Sequence, residues 1–127
     1  MLRDKDVMAT VAVHKLAKAL PFYEKALGLK PVDDSQAEDG VIGLKAGSTT
    51  VLLYESEYAG TNKATALTWA LGDGFDAAVK ELAARGVAFE TYDMPNVVME
   101  GPVHVMGEMR VVWFKDPDGN ILSVGNY

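Results

Sequence analysis

The chain of 127 residues contains no cysteine, only two histidines and no long apolar segment. The absence of cysteine excludes disulfides, thiolate nucleophiles and cysteine zinc sites together. No stretch has the apolar length needed to cross a bilayer, and the charged residues 1–6 lack the apolar centre of a signal sequence. We therefore expect a cytoplasmic protein with no membrane partner.

Positive charge is also sparse, because 12 Lys and Arg stand against 18 Asp and Glu for a net charge of −6. Without a basic cluster, nucleic acid is disfavoured as a partner. Hydrophobic residues make up 49% of the chain and charged residues 24%, which is typical of a folded globular protein. The length predicts one domain, residues 1–127, that can bury most of its apolar surface.

Two common catalytic patterns are missing from the sequence. No Gly-x-Ser-x-Gly nucleophile motif occurs, and no glycine-rich phosphate loop opens either predicted helix. Gly72–Gly74 precedes a helix without the spacing of a dinucleotide fingerprint. We interpret it as a turn in which Asp73 caps the helix.

The order of predicted elements repeats after 58 residues, so that residues 8–30 align with residues 66–88. Each copy begins with an apolar strand and a short polar turn, followed by an amphipathic helix ended by glycine and by further strands. The sequence thus predicts two βαβββ units, module one at about residues 7–57 and module two at about residues 64–127.

In module one, the pattern predicts strands at 7–13, 29–33, 41–46 and 49–55 and a helix at 16–27. Pro21 lacks an N–H and falls in the second turn, which is costly unless the helix begins late, near Ala19 or Leu20, so we expect a frayed or 3₁₀ start. In module two, the pattern predicts a helix at 75–84 and strands at 67–71, 87–92, 109–114 and 121–124, with an insertion near residues 93–107.

The segment Asp116-Pro117-Asp118-Gly119-Asn120 predicts a tight turn before the last strand. Proline sets the first central residue, Asp118 can bond the local backbone, and glycine tolerates positive φ. Acidic and amide groups at alternate positions also resemble the start of a calcium loop, but Tyr127 stands where that loop needs glutamate. We therefore interpret the segment as a hairpin turn.

This turn, together with Phe22-Tyr23-Glu24-Lys25-Ala26-Leu27-Gly28-Leu29 and the repeated unit, resembles the vicinal oxygen chelate superfamily. That group includes glyoxalase I, bleomycin-resistance proteins and extradiol dioxygenases. The resemblance implies an α+β fold in which two βαβββ modules form an incomplete barrel around a cleft. It also implies a homodimer, since pairs of modules are often completed across two chains.

Enzymes of this superfamily bind a divalent metal through one residue from each of four strands, usually His or Gln and Glu. Carried over by motif, those positions hold Met8, Leu53, Ala66 and Ser123. None supplies an imidazole or a carboxylate, so we expect no metal and no cofactor. A displaced metal site would have to use His14, His104 and Glu55.

If Met8 faces the cleft, as the resemblance implies, alternation along the strands predicts which other residues face it. Together with Met8, they are Thr10, Ala12, Val51, Leu53, Glu55, Ala66, Thr68, Ala70, Met109, Val111, Trp113, Ile121 and Ser123. This mostly apolar lining with a few hydroxyls suits an aromatic or amphipathic compound. Trp113 is either a stacking surface or a core aromatic, and Glu55 is either a ligand or base, or an exposed acid.

The segment at residues 94–109 carries four of the six methionines. It predicts either an adaptable cover over the cleft or a long hairpin whose methionines fill gaps. Tyr92 and His104 could supply polar contacts at the rim of the cleft, and His104 and Glu55 are weak candidates for a catalytic acid or base.

The first hypothesis is a metal-free small-molecule-binding protein of the bleomycin-resistance type. Its ligand-binding residues are predicted to be Thr10, Glu55, Thr68, Tyr92, Met109, Trp113 and Ser123. The alternative is an enzyme, a lyase or dioxygenase of this superfamily with a displaced metal site or a metal-free acid–base mechanism. A third class is an interaction role without a ligand.

Overall fold

Each half of the chain folds as a sheet with one helix, within the residues that the computed structural model describes, 1–34, 37 and 39–127. Strands of the first sheet lie in the order β1-β4-β3-β2, with β1 and β4 parallel and the other neighbours antiparallel. The elements of this half are β1 (Ala9–Val13), α1 (Leu16–Pro21), β2 (Lys30–Pro31), β3 (Val41–Ala46) and β4 (Thr49–Glu55).

The second sheet repeats this arrangement with an added hairpin. Its strands lie in the order β5-β10-β9-β8-β7, and β6 pairs with another part of β9. Its elements are β5 (Thr65–Ala70), α2 (Phe75–Ala84), β6 (Phe89–Glu90), β7 (Val98–Glu100), β8 (Val103–Met106), β9 (Met109–Lys115) and β10 (Ile121–Gly125).

Both modules join their first and last strands in parallel, β1 with β4 and β5 with β10. The predicted α+β fold with two βαβββ modules is therefore confirmed. In the described ranges, no helix is long and apolar enough to cross a membrane.

The first helix differs from its prediction at Pro21. α1 begins at Leu16, the predicted first residue, as an α-helix without the expected frayed or 3₁₀ start, and continues after Pro21 as a π-helical segment, Phe22–Ala26. The N–H of Leu27 donates to the carbonyl of Phe22 at 3.1 Å, five residues back. Proline has no N–H to donate, so one helical hydrogen bond is missing at Pro21. The next turn is wider and takes the π-helical form.

The face predicted for β4 is wrong. Leu53 pairs with Val11, and their side chains are 0% and 4% exposed, so Leu53 points into the core together with Val51. Leu52 and Tyr54 therefore take the opposite face, where Tyr54 pairs with Ala12. The run from residue 51 to 54 is apolar or aromatic throughout, so its polarity gives no alternation from which the face can be read.

One core joins the two modules. Because alternate residues of a strand face opposite sides, the other face of each sheet points away from this core, and we call it the cleft face. The largest fully buried side chains include those of Val13, Tyr23, Leu44, Leu53, Val112, Phe114 and Leu122, contributed by both halves of the chain.

The turn before the last strand is organised by Asp116, which is 4% exposed. Its Oδ1 accepts the backbone N–H groups of Asp118 and Asn120 at 2.9 and 2.8 Å. Its Oδ2 accepts the hydroxyl of Tyr23 at 2.6 Å and the amide of Asn120 at 2.8 Å. We expected Asp118 to bond the local backbone, but Asp116 does so, and Asp118 instead accepts from the backbone N–H of His14 at 2.9 Å.

Candidate functional site

Hydroxyl groups and an indole lie side by side on the cleft face of the second sheet. Ser123 is 2% exposed, and its Oγ lies 2.8 Å from the Oγ1 of Thr68 on the parallel strand. Trp113 is the antiparallel partner of Ser123, and its indole N–H donates to the Oγ1 of Thr65 at 3.1 Å. The structure thus brings together three residues predicted from the sequence, Thr68, Trp113 and Ser123.

Thr65 was not among the predicted ligand-binding residues. It reaches the indole because the register between β5 and β10 shifts between Ile121 and Leu122. Such a bulge changes which side chains of a strand share a face. No local feature of the sequence marks it.

An aromatic cluster extends this surface beyond Trp113. The ring centroid of Trp113 lies 4.8 Å from that of His104 and 5.6 Å from that of Tyr92, and both pairs meet edge to face. His104 is 0% exposed and lies opposite Val111, on the same face as Trp113. We call Tyr92, His104 and Trp113 the aromatic cluster.

The protonation of His104 follows from one hydrogen bond. The backbone N–H of Tyr92 donates to its Nε2 at 3.0 Å. Since an amide N–H can only donate, Nε2 accepts, and the neutral ring carries its hydrogen on Nδ1. The cleft face therefore holds an uncharged imidazole.

Two cavities adjoin the first strands of the modules. One, of about 180 Å³, is lined by Thr10, Tyr54 and Ala66 among others. The other, of about 460 Å³, is lined by Met8, Thr50 and Thr68 among others. Thr10 and Thr68 are thus exposed hydroxyls that line different cavities, with β1 and β5 contributing to both.

Glu55 does not reach the cleft. Its Oε2 accepts the N–H of Leu16, the first residue of α1, at 2.9 Å. Parallel pairing of β1 with β4 brings the end of β4 beside the start of α1, because Glu55 pairs with Val13. The carboxylate therefore holds a helix start, where negative charge is favourable.

Met109 lies at the edge of the site. It begins β9, pairs with Met106 and is 45% exposed. The methionine-rich segment around it forms the β7–β8 hairpin and its junction with β9, in keeping with the long-hairpin interpretation. Residues 91–97, which carry Tyr92, lie outside any strand.

The three residues of the alternative metal site are not brought together. His14 contacts Asp118 through its Nδ1, 2.6 Å from Oδ1, while Glu55 bonds α1 and His104 is buried beside Trp113. Among residues 1–34, 37 and 39–127, no group of three or more His, Cys, Asp or Glu is placed to hold a metal ion.

The four residues that the resemblance assigned to a metal do not form a divalent site either. The Met8 side chain is 52% exposed ahead of β1, Leu53 is buried in the core, and Ala66 has no donor atom. Ser123 supplies one hydroxyl, which is already hydrogen-bonded to Thr68. Borderline and hard metals need several converging nitrogen or oxygen ligands, and this set does not provide them.

Comparison with known proteins places these features in a family. The family model of the Glyoxalase/Bleomycin resistance protein/Dioxygenase superfamily matches residues 7–124. Virulence protein STM3117 of Salmonella typhimurium is 25% identical over 130 residues, which span 100% of this chain and 87% of that protein. Its crystal structure has a TM-score of 0.65 at 21% identity, covering 100% of this chain and 99% of that one.

Two further solved structures share the fold. Lactoylglutathione lyase from Agrobacterium tumefaciens has a TM-score of 0.68 at 18% identity, over 95% of this chain and 92% of that one. The fosfomycin resistance protein FosX from Listeria monocytogenes has a TM-score of 0.69 at 14% identity, over 95% and 91% of the two chains. With the family model spanning both modules, this chain belongs to the glyoxalase/bleomycin resistance protein/dioxygenase superfamily.

Proposed function

We propose that this protein binds a small aromatic or amphipathic compound at the cleft face of its second sheet, without a metal. The observation that carries the proposal is the position of Trp113, between the hydroxyl pair of Thr68 and Ser123 and the buried imidazole of His104. An aromatic surface beside a few fixed polar groups is the common composition of a small-molecule site.

The second part of the proposal, independence from metal, is supported by Ser123. In metal-binding relatives the corresponding position holds a glutamate, whereas this hydroxyl is 2% exposed and paired with Thr68. This hydroxyl therefore offers no carboxylate to a metal and instead fixes the position of the exposed Thr68 hydroxyl, which can contact an organic ligand.

We further propose that a second copy of this chain completes the cleft. Large apolar side chains stand exposed at the start of β1 and on the β7–β8–β9 region, namely Val7 (91%), Met8 (52%), Val98 (66%), Met99 (37%) and Met109 (45%). Exposed apolar surface of this kind is a frequent mark of an interface. Sedimentation velocity should give a dimer, and a monomer at all concentrations would contradict this part.

An enzymatic role has one observation in its favour. His104 is an imidazole buried beside Trp113 on the cleft face, and imidazole is the most frequent acid–base group in enzymes. The sequence-based alternative of Glu55 as the base loses support because Glu55 holds the start of α1. Conversion of a bound compound by wild-type protein, abolished in His104→Gln, would favour this second candidate.

A thermal-shift screen against aromatic compounds tests the binding proposal. Ligands that bind the folded state raise its melting temperature. Trp113→Phe should reduce the shifts, while Tyr127→Phe, at a tyrosine that is 52% exposed, should retain them. No shift across a broad aromatic set would contradict the proposal and favour an interaction role.

A further inference from the structure

Two polar groups in the aromatic cluster are buried without a partner. In the part of the chain that the structure describes, neither the Nδ1 of His104 nor the hydroxyl of Tyr92 forms a hydrogen bond. Buried polar groups are paired in the great majority of cases, since leaving one unpaired is costly. This pair therefore requires a physical explanation beyond packing.

Both groups can act as donors. The Nε2 of His104 already accepts the N–H of Tyr92, so its hydrogen is on the unpartnered Nδ1. The phenol of Tyr92 carries an O–H. The indole N–H of Trp113, which borders both rings, is already used by Thr65. The two unused donors thus lie in one aromatic environment and call for an acceptor.

The hydrogen bonds and ion pairs around the cluster favour an uncharged acceptor. Protonation of His104 at Nε2 would set two donors against each other, because Tyr92 N–H already points at this atom. The imidazole thus supplies no full positive charge, and Lys115, which lies on β9 with Trp113, is paired with Glu90 at 3.2 Å. Burying a carboxylate without a counter-charge is far more costly than burying an uncharged oxygen.

We propose that His104 and Tyr92 form an acceptor subsite, which hydrogen-bonds the uncharged carbonyl oxygen of a ligand whose aromatic ring contacts Trp113. This inference rests on the proposed binding function and specifies the chemistry of the ligand. Both donors are covered in the present conformation. Tyr92 is only partly buried and belongs to residues 91–97, which form no strand, so its side chain can move while its backbone N–H stays bonded to the Nε2 of His104.

The test compares two probes of similar size, acetophenone and ethylbenzene, of which only acetophenone has a carbonyl. Trp69→Phe leaves Trp113 as the one tryptophan, and its fluorescence reports binding to this surface. In this background, acetophenone should bind about tenfold more tightly than ethylbenzene, the effect of one or two net hydrogen bonds.

Tyr92→Phe removes the hydroxyl and keeps the ring. It should weaken acetophenone about fivefold and leave ethylbenzene unchanged, because only the carbonyl uses the lost donor. Tyr127→Phe, at a tyrosine that is 52% exposed, is the matched control and should change neither affinity. A merely structural role of Tyr92 would alter both affinities together.

The outcomes separate this inference from the proposed function. Equal affinity for the two probes, with no selective effect of Tyr92→Phe, would overturn the acceptor subsite and leave the binding function standing. Binding of neither probe would contradict both. A selective loss for acetophenone supports the subsite.

Discussion

The hydroxyl of Tyr23 donates to the Oδ2 of Asp116 at 2.6 Å, and so joins the first module's helical segment to the turn before the last strand of the second. Tyr23 is 0% exposed and Asp116 4%. The Phe-Tyr and Asp-Pro-Asp-Gly-Asn motifs, which identified the family in the sequence, therefore meet through one buried hydrogen bond. The two motifs by which the sequence resembles the family are thus in direct contact in the folded chain.

Tyr23→Phe should lower the free energy of unfolding by about 1–3 kcal/mol, because Asp116 loses a donor in a buried position. Urea denaturation measures the change. Tyr58→Phe is the control, since Tyr58 is 70% exposed, and it should stay within about 0.5 kcal/mol of wild type. Equal stability of the two variants would contradict the structural role of the contact.

The stability of the wild-type protein should fall at alkaline pH. Burial, reinforced by the negative charge of Asp116, raises the pKa of Tyr23 above its ordinary value of 10.0. Above that pH the unfolded chain releases this proton while the folded chain keeps it, so folding becomes less favourable as pH rises. The limiting slope is about 1.4 kcal/mol per pH unit.

Urea denaturation from about pH 8 to pH 11 measures this dependence. The free energy of unfolding should fall more steeply with pH in wild type than in Tyr23→Phe, and equal slopes would refute the role assigned to Tyr23.

Gly60→Ala should destabilise the fold strongly. Gly60 has φ +70°, and a Cβ at this position would fall 1.8 Å from the carbonyl oxygen of Asp118. Gly47 has a similar φ of +59° but no atom within 4 Å, so Gly47→Ala isolates the cost of the backbone conformation. We expect about 1 kcal/mol for Gly47→Ala and at least about 3 kcal/mol for Gly60→Ala. Similar melting temperatures for both variants would argue against the close approach.

Glu55→Ala should cost about 1 kcal/mol, the usual value of a lost helix cap, because Leu16 N–H loses its acceptor. Glu55→Gln keeps an acceptor oxygen and should cost less. Ligand affinity should not change in either variant. A loss of affinity at unchanged stability would restore the sequence-based assignment of Glu55 to the cleft.

Several features could be predicted from the sequence because they depend on local patterns. The bounds of β3 and β4 follow from the glycine turns beside them and those of α2 from its helical periodicity, and they are confirmed. The face of β4 could not be predicted, since every residue from 51 to 54 is apolar or aromatic. Pairing with β1 decides which β4 side chains face the core, and this pairing joins residues about 40 apart in the chain.

In the candidate site, too, some features follow from local sequence patterns and others depend on long-range contacts. Thr68, Trp113 and Ser123 share a face because the turn at Asp116 fixes the register of β10, and that turn is legible in the sequence. The contact of Thr65 with Trp113 depends on a bulge, and the burial of His104 depends on the path of residues 91–97. Neither the bulge nor the path of this segment produces a periodic pattern in the sequence.

The most direct test of metal-free binding at Trp113 is a two-dimensional ¹H–¹⁵N spectrum that resolves the two indole N–H signals. Protein treated with a metal chelator would be titrated with the aromatic compound that gives the largest thermal shift. The Trp113 signal should move to saturation. An unchanged Trp113 signal, or a change that appears only after a divalent metal is restored, would contradict the account.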